Sequence, residues 1–158
     1  MMFSITYVLP IATALIYADG HFVDFIVAAA ACLAAGALLW AATRHRKREL
    51  RSRDGFVLVT LGWILMSAIA TVPLLIAIPG LTFTDAFFET MSGLSTTGAT
   101  VLVGVEHLPA SINLWRHALN WYGGMGIIVL VVAILPLLGV GGMQVYKAET
   151  PGPMKDEK

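Results

Sequence analysis

Thr82-Phe83-Thr84-Asp85-Ala86-Phe87-Phe88-Glu89-Thr90-Met91-Ser92-Gly93-Leu94-Ser95-Thr96-Thr97-Gly98-Ala99-Thr100 decides the reading of the fold, being neither a clean membrane-crossing helix nor an ordinary loop. Pro79-Gly80 ends the apolar run before it, and Thr82-Phe83-Thr84-Asp85 has the hydroxyl-x-x-acid pattern of a helix start. A short amphipathic helix is expected from about Thr84 to Leu94; at about 1.5 Å per residue it is roughly 16 Å long, about half a bilayer. The small and hydroxylated residues from Ser92 to Thr100 break it, and Val101 to Val105 leads the chain out again.

On either side of this stretch lie apolar blocks of about bilayer-spanning length, too long for the core helices of so small a protein. They are Met1 to Ala18, interrupted only by Pro10, then Phe25 to Thr43, Phe56 to Ile78, and His117 to Tyr146. Of the 158 residues 58% are apolar and only 13% charged, against roughly 25% charged in a soluble domain. A disordered tail is excluded, and a soluble enzyme is disfavoured. Met1 to Ala18 would also pass as a signal peptide, but it lacks a basic n-region and a second uncharged block comes after Asp19-Gly20-His21 and Asp24. A retained helical hairpin is the better reading, with Ala28 to Ala31, Ala34, Ala35 and Gly36 allowing close helix approach. The single cysteine, Cys32, excludes intrachain disulfides and cysteine-based metal or cluster sites.

Charge placement orients the spans. Arg44-His45-Arg46-Lys47-Arg48-Glu49-Leu50-Arg51-Ser52-Arg53 holds six of the ten basic residues. Between two spans such a run marks the cytoplasmic side, and with ten acidic residues balancing ten basic ones no nucleic-acid partner is indicated. The opposite face carries Asp19, Asp24, Asp85, Glu89 and Glu106 with Arg116 as its only base, and Lys147, Lys155 and Lys158 return the chain inside. Pro136 with Gly139, Gly141 and Gly142 favours a bend or helix stop, and Pro151-Gly152-Pro153 a linker. The expected fold is an all-α integral membrane protein with both termini cytoplasmic. Residues 1–43 form the transmembrane hairpin, 44–54 the basic loop, 55–146 one span, half-helix, loop and span, and 147–158 the linker.

Non-helical backbone at membrane depth persists only where protein buries it or water solvates it, so the half-helix and its loop suggest a pore. The half-helix points its partially negative C-terminus at the membrane interior, favouring a cation there. The carbonyls of Ser95, Thr96, Thr97, Gly98 and Ala99 can replace the ion's water shell, Gly98 supplying a backbone conformation closed to bulkier residues. Asp85 and Glu89, four apart near the outer end, favour the helix dipole, raise local cation concentration, or pair with Arg116. Arg116, read at a helix start, opposes the dipole and calls for Glu89 or Glu106 as partner; an electrostatic role at the pore mouth is the alternative. Asn120 is expected to hydrogen-bond a neighbouring helix or backbone. Gly123-Gly124-x-Gly126 allows tight helix contact or bending, and Trp40, Trp63, Trp115, Trp121 and Tyr122 read as interface anchors or lipid-facing bulk. The competing readings of the loop are a polar connection between spans and a non-transporting assembly module. Gly93-Leu94-Ser95-Thr96-Thr97 lacks the last glycine of a nucleophile elbow, and the four histidines have no ligand spacing, so neither an enzyme nor a resident metal or cofactor is expected.

Phe87 to Thr100 resembles the pore helix and filter loop of the Trk/Ktr/HKT cation transporters. Leu114-Trp115-Arg116, Asn120-Trp121-Tyr122-Gly123-Gly124-Met125-Gly126 and Leu135-Pro136-Leu137-Leu138-Gly139-Val140-Gly141-Gly142 are similar to the segments C-terminal to the filter loop in that family, and the likeness extends from the N-terminal hairpin to Ala148-Glu149-Thr150-Pro151-Gly152-Pro153. The resemblance implies a K⁺-conducting protein of the bacterial inner membrane, its pore built from four such repeats in one polypeptide with one filter glycine from each. Gly98 stands at that glycine, which the family associates with K⁺ selectivity. One repeat cannot surround an ion. The chain is therefore expected to be the first repeat of a longer subunit or one copy of a homotetramer, conducting little or no K⁺ alone. The partners implied are the lipid bilayer, the remaining repeats or further copies, a second full-length subunit in a homodimer, and a cytoplasmic nucleotide-binding regulator.

Overall fold

The computed structural model describes residues 2–44 and 52–134. Among these the regular structure is entirely helical. A 3-10 turn, Met2–Tyr7, leads into α1 (Val8–Tyr17); then come α2 (Phe22–Thr43), α3 (Ser52–Ala70), α4 (Val72–Ala77), α5 (Phe83–Leu94) and α6 (Ala110–Ile134), with a second 3-10 turn at Val105–His107. Two segments, Phe22–Thr43 and Asp54–Ala77, are long and apolar enough to cross a membrane, and Phe3–Tyr17 is a shorter apolar helix. Most of the basic loop, the bend at Pro136 and the glycines after it, and the linker lie outside the described residues.

The first two helices reverse at Ala18-Asp19-Gly20-His21, where Ala18 and Gly20 both take positive φ, 50° and 82°. Asp19 ties this turn to the start of α6, 92 residues on. One carboxylate oxygen accepts the His21 N–H at 3.2 Å, and the other accepts the Ser111 N–H at 2.9 Å, satisfying an unpaired donor in the first turn of α6. Burial opposes ionisation of Asp19, but these bonds and the neighbouring His21 hold its carboxyl below the ordinary carboxylate range.

Pro73 lies in the first turn of α4, next to the break that separates it from α3. Lacking an N–H, it cannot donate to the carbonyl of Ile69 four residues back. The hydroxyl of Tyr7 does so instead, at 3.3 Å, and the neighbouring Ala70 carbonyl accepts the indole N–H of Trp115 at 3.1 Å. Tyr7 and Trp115 stack with ring centroids 4.5 Å apart, and Phe25 meets the indole edge-on. The helix break thus becomes the docking point of the hairpin and α6, around a core of Tyr7, Phe25, Leu74, Ile112, Trp115 and Leu119.

Two expectations are corrected here. Trp115 is fully buried, and Trp63 is half-buried with its indole N–H on the Leu94 carbonyl at 3.1 Å, whereas Trp40 and Trp121 are exposed. An indole N–H needs an acceptor when it is taken out of water, and the interrupted helices offer carbonyls. The last long helix begins at Ala110, seven residues before the expected His117, because Pro109 ends the preceding turn and its carbonyl accepts the first helical bond, from Asn113.

α5 starts with Thr82 as its cap: the threonine oxygen accepts the Asp85 N–H at 3.1 Å and its hydroxyl donates to the Asp85 carboxylate at 2.6 Å. The helix then runs back alongside α3. Thr90 donates to the Ser67 carbonyl at 2.9 Å, and the Trp63 bond puts the end of α5 level with the middle of the apolar stretch Asp54–Ala77. On its other side α5 packs parallel to α6, with Gly93 against Leu119 and Leu94 against Gly123. A Cβ added at Gly123 would lie 2.2 Å from the Leu94 carbonyl oxygen, so the two backbones touch there.

Candidate functional site

The site begins where α5 ends. A helix leaves its last four carbonyls without partners, and here each of them is met. Ser95 N–H donates to Met91, Thr97 N–H and Gly98 N–H to Ser92, Thr96 N–H to Gly93, and Trp63 to Leu94. The Thr97-to-Ser92 and Thr96-to-Gly93 bonds form a Schellman motif, whose turning residue must be left-handed. That residue is Thr96, at φ +59°, where glycine is usual. Gly98 comes next, at φ +70°. A Cβ built there would find only the Asn120 amide oxygen, 4.0 Å away, so the constraint on Gly98 is conformational rather than steric.

Because the turn consumes N–H groups and helix carbonyls, the carbonyls after the helix are left over. Among the described residues no hydrogen-bond donor reaches the carbonyl oxygens of Ser95, Thr96, Thr97 or Gly98, and Ser95 to Thr100 are all exposed on the surface of this chain. The Ser95 and Thr97 hydroxyls, 2.8 Å apart, lie beside them. The carbonyl of Ala99, expected to belong with these four, is already engaged by the Ser92 hydroxyl at 2.7 Å. An array of oxygens with no fixed charge, next to a helix C-terminus, suits a weakly held, partly dehydrated cation.

Behind the loop the charges are paired. Glu89 accepts from Arg116 through Nε at 2.8 Å and through Nη2, and its carboxylate also takes the Thr100 hydroxyl at 2.9 Å and the Val101 N–H at 3.2 Å. The Glu89 side chain is 3% exposed and that of Arg116 15%. Glu106, the other expected partner, faces solvent 3.7 Å from His107. Since α6 starts at Ala110, Arg116 sits in its second turn, on the face toward α5, and not at a helix start. The Asp85 carboxylate, in the first turn of α5, accepts the hydroxyl of the cap residue Thr82 and does not reach Arg116. Asn120 donates to the Arg116 carbonyl of its own helix at 3.2 Å while its amide oxygen faces Gly98.

Sequence reasoning does not mark Ser92, Thr100 and Trp63 as site residues, yet they fix where the loop starts and returns. Ser92 and Thr100 carry only a generic signal, hydroxyls flanking a glycine-containing turn; the indole of Trp63 carries none. Along the outer face of α5 an open, mostly apolar groove of about 360 Å³ runs past Phe87, Phe88 and Met91 to the hydroxyls of Ser95 and Thr97.

A family model described as TrkH, cation transport protein, matches residues 21–158. The Trk system potassium uptake protein TrkH of Vibrio parahaemolyticus is 52% identical over 99% of this chain and 33% of its own length. The TrkH protein of Salmonella typhimurium is 53% identical over 100% of the chain and 33% of its own length. The Trk system potassium uptake protein TrkG of Escherichia coli K12 is 42% identical over 99% and 33%. The chain therefore spans about a third of the length of the curated relatives it matches.

Proposed function

Because the chain belongs to the TrkH cation transport protein family, we propose that Ser95–Gly98 is one of four carbonyl strands that together pass K⁺ across the bacterial inner membrane. The observation that carries this reading is the level at which α5 ends. Near the middle of an apolar span the chain stops being helical and leaves four successive carbonyls without donors. Such backbone is stable at that depth only against protein, water or an ion. In this reading α5 is a re-entrant half-helix entering from outside, and an ion sheds water against the loop oxygens while binding stays weak enough for exit.

The rest of the assembly belongs to the same proposal. The basic loop and both termini lie in the cytoplasm, and the open groove along Phe87, Phe88 and Met91 is covered by neighbouring repeats of the same subunit. Further expectations are a dimer of complete subunits, a cytoplasmic nucleotide-binding regulator at the inner face, and no resident cofactor. One strand does not enclose an ion, so this chain by itself is expected to support no K⁺ uptake.

The test is Gly98→Ser in the complete subunit. A residue other than glycine is strained at φ +70°, and the new hydroxyl competes with the carbonyls for the ion. K⁺ over Na⁺ preference, measured as the ratio of the two fluxes into liposomes, is expected to fall. An unchanged ratio contradicts the filter.

A further inference from the structure

The filter reading leaves Glu89, Arg116 and Thr100 without a part in ion contact. We propose that these three form a positioning clamp that fixes the return path of the loop and so sets its ion preference, rather than a charge acting at the pore mouth; the proposal rests on the filter reading above. The clamp joins three separate pieces of chain. Glu89 comes from the middle of α5, Arg116 from α6, and Thr100 and Val101 from the segment leaving the loop. The single Thr100 hydroxyl proton is shared between both carboxylate oxygens, at 2.9 and 3.0 Å. Its oxygen in turn accepts from Arg116 Nη2 at 3.2 Å and from the Leu102 N–H at 3.1 Å. Arg116 Nη1 reaches Asn113 at 3.3 Å, so all three guanidinium nitrogens have acceptors within this chain.

Two features distinguish a clamp from a surface charge. The pair is nearly enclosed, at 3% and 15% side-chain exposure, and the carboxylate lies directly on the guanidinium, so little net field projects from it. The bonds also stop where the bare carbonyls begin: Ala99, Thr100, Val101 and Leu102 are all held, Ala99 by Ser92 from the last turn of α5. The strand is thus fixed immediately downstream of Gly98, and the Schellman turn fixes it upstream. A planar guanidinium that donates from two edges is required for this; an ammonium supplies the charge but not the fork.

The experiment uses the complete transporter, reconstituted in liposomes, with the K⁺/Na⁺ flux ratio read per unit of folded protein. Thr100→Val removes the hydroxyl at an exposed position and changes no charge. It is expected to lower the ratio roughly tenfold, the equilibrium weight of one hydrogen bond to a charged group. Thr100→Ser, which keeps the hydroxyl, is expected to restore it. Arg116→Lys keeps the positive charge and is expected to lower the ratio as Thr100→Val does; a charge at the mouth predicts no change. Wild-type ratios in both Thr100→Val and Arg116→Lys, with a lowered ratio in Gly98→Ser, overturn the clamp and leave the filter standing. Wild-type ratios in all three overturn both. Loss of transport in Thr100→Val that Thr100→Ser does not rescue also overturns the clamp.

Discussion

The segment from Ser95 to Leu102 has two halves of equal length and opposite bonding. In Ser95–Gly98 the N–H groups of Ser95, Thr96, Thr97 and Gly98 turn back into α5 and the carbonyls are left bare. In Ala99–Leu102 a carbonyl, a hydroxyl and two N–H groups are taken by Ser92, Glu89 and Thr100. A short extended strand can thus be both available and rigid. Its availability comes from spending the donors of one half on the preceding helix, and its rigidity from side chains that grip the other half. The first half is shaped by backbone geometry; the second is held by a buried charge pair.

The largest effect is expected from breaking the second half alone. Glu89→Ala removes the carboxylate from beneath Arg116, leaving a guanidinium 15% exposed with its main partner gone. Removing one member of a buried ion pair costs about 3–5 kcal/mol, so the complete subunit should show a clear loss of thermal stability in detergent and reduced membrane abundance. A variant with wild-type stability would mean that the second half is held by Ser92 and packing, and the contrast between the halves would lose its basis.

Gly123→Ala strikes the platform under the first half. Its Cβ would stand 2.2 Å from the Leu94 carbonyl oxygen and 2.9 Å from the Leu94 Cα, so α5 and α6 must separate at the helix end that carries the Schellman turn. Overpacking of this kind costs about 1–3 kcal/mol. A smaller stability loss than for Glu89→Ala is expected, together with loss of K⁺ uptake. Gly124→Ala is the control: a Cβ there meets only the Thr96 methyl, at 3.8 Å, and uptake should persist. Equal uptake in the two variants would show that the end of α5 tolerates displacement.

Much of this region is legible from sequence, and the reasons differ by residue. Thr82 and Asp85 announce α5 because a cap is a local device, and Gly98 announces a positive φ because glycine is the residue that takes it without strain. Thr96 gives no such signal; a β-branched residue is the least expected one in a left-handed turn. The true start of α6 is hidden from sequence because its first turn is satisfied by Asp19, 92 residues earlier in the chain. The choice of Glu89 over Glu106 for Arg116 depends on that start, which turns Arg116 toward α5. Trp63, Trp115 and Tyr7 cannot be assigned from sequence, since their acceptors are carbonyls exposed by the end of α5 and by the Pro73 break.

The smallest expected change in stability, and the sharpest test of the contrast, is Thr96→Gly. A non-glycine residue in the left-handed region carries about 1–2 kcal/mol of strain, and glycine relieves it while adding chain entropy to the unfolded state worth about 0.5–1 kcal/mol. The two nearly cancel, so the thermal midpoint should stay level or rise slightly. Ion preference should not stay level. The first half has no side-chain clamp, and the stiffness of the β-branched Thr96 limits how far Ser95–Gly98 can sway. With glycine at position 96 the carbonyls gain freedom, and the K⁺/Na⁺ flux ratio of the complete subunit is expected to fall although the protein is at least as stable. A lowered midpoint with an unchanged ratio would instead make Thr96 an ordinary helix stop, and the shape of the first half would then have to come from the clamp downstream.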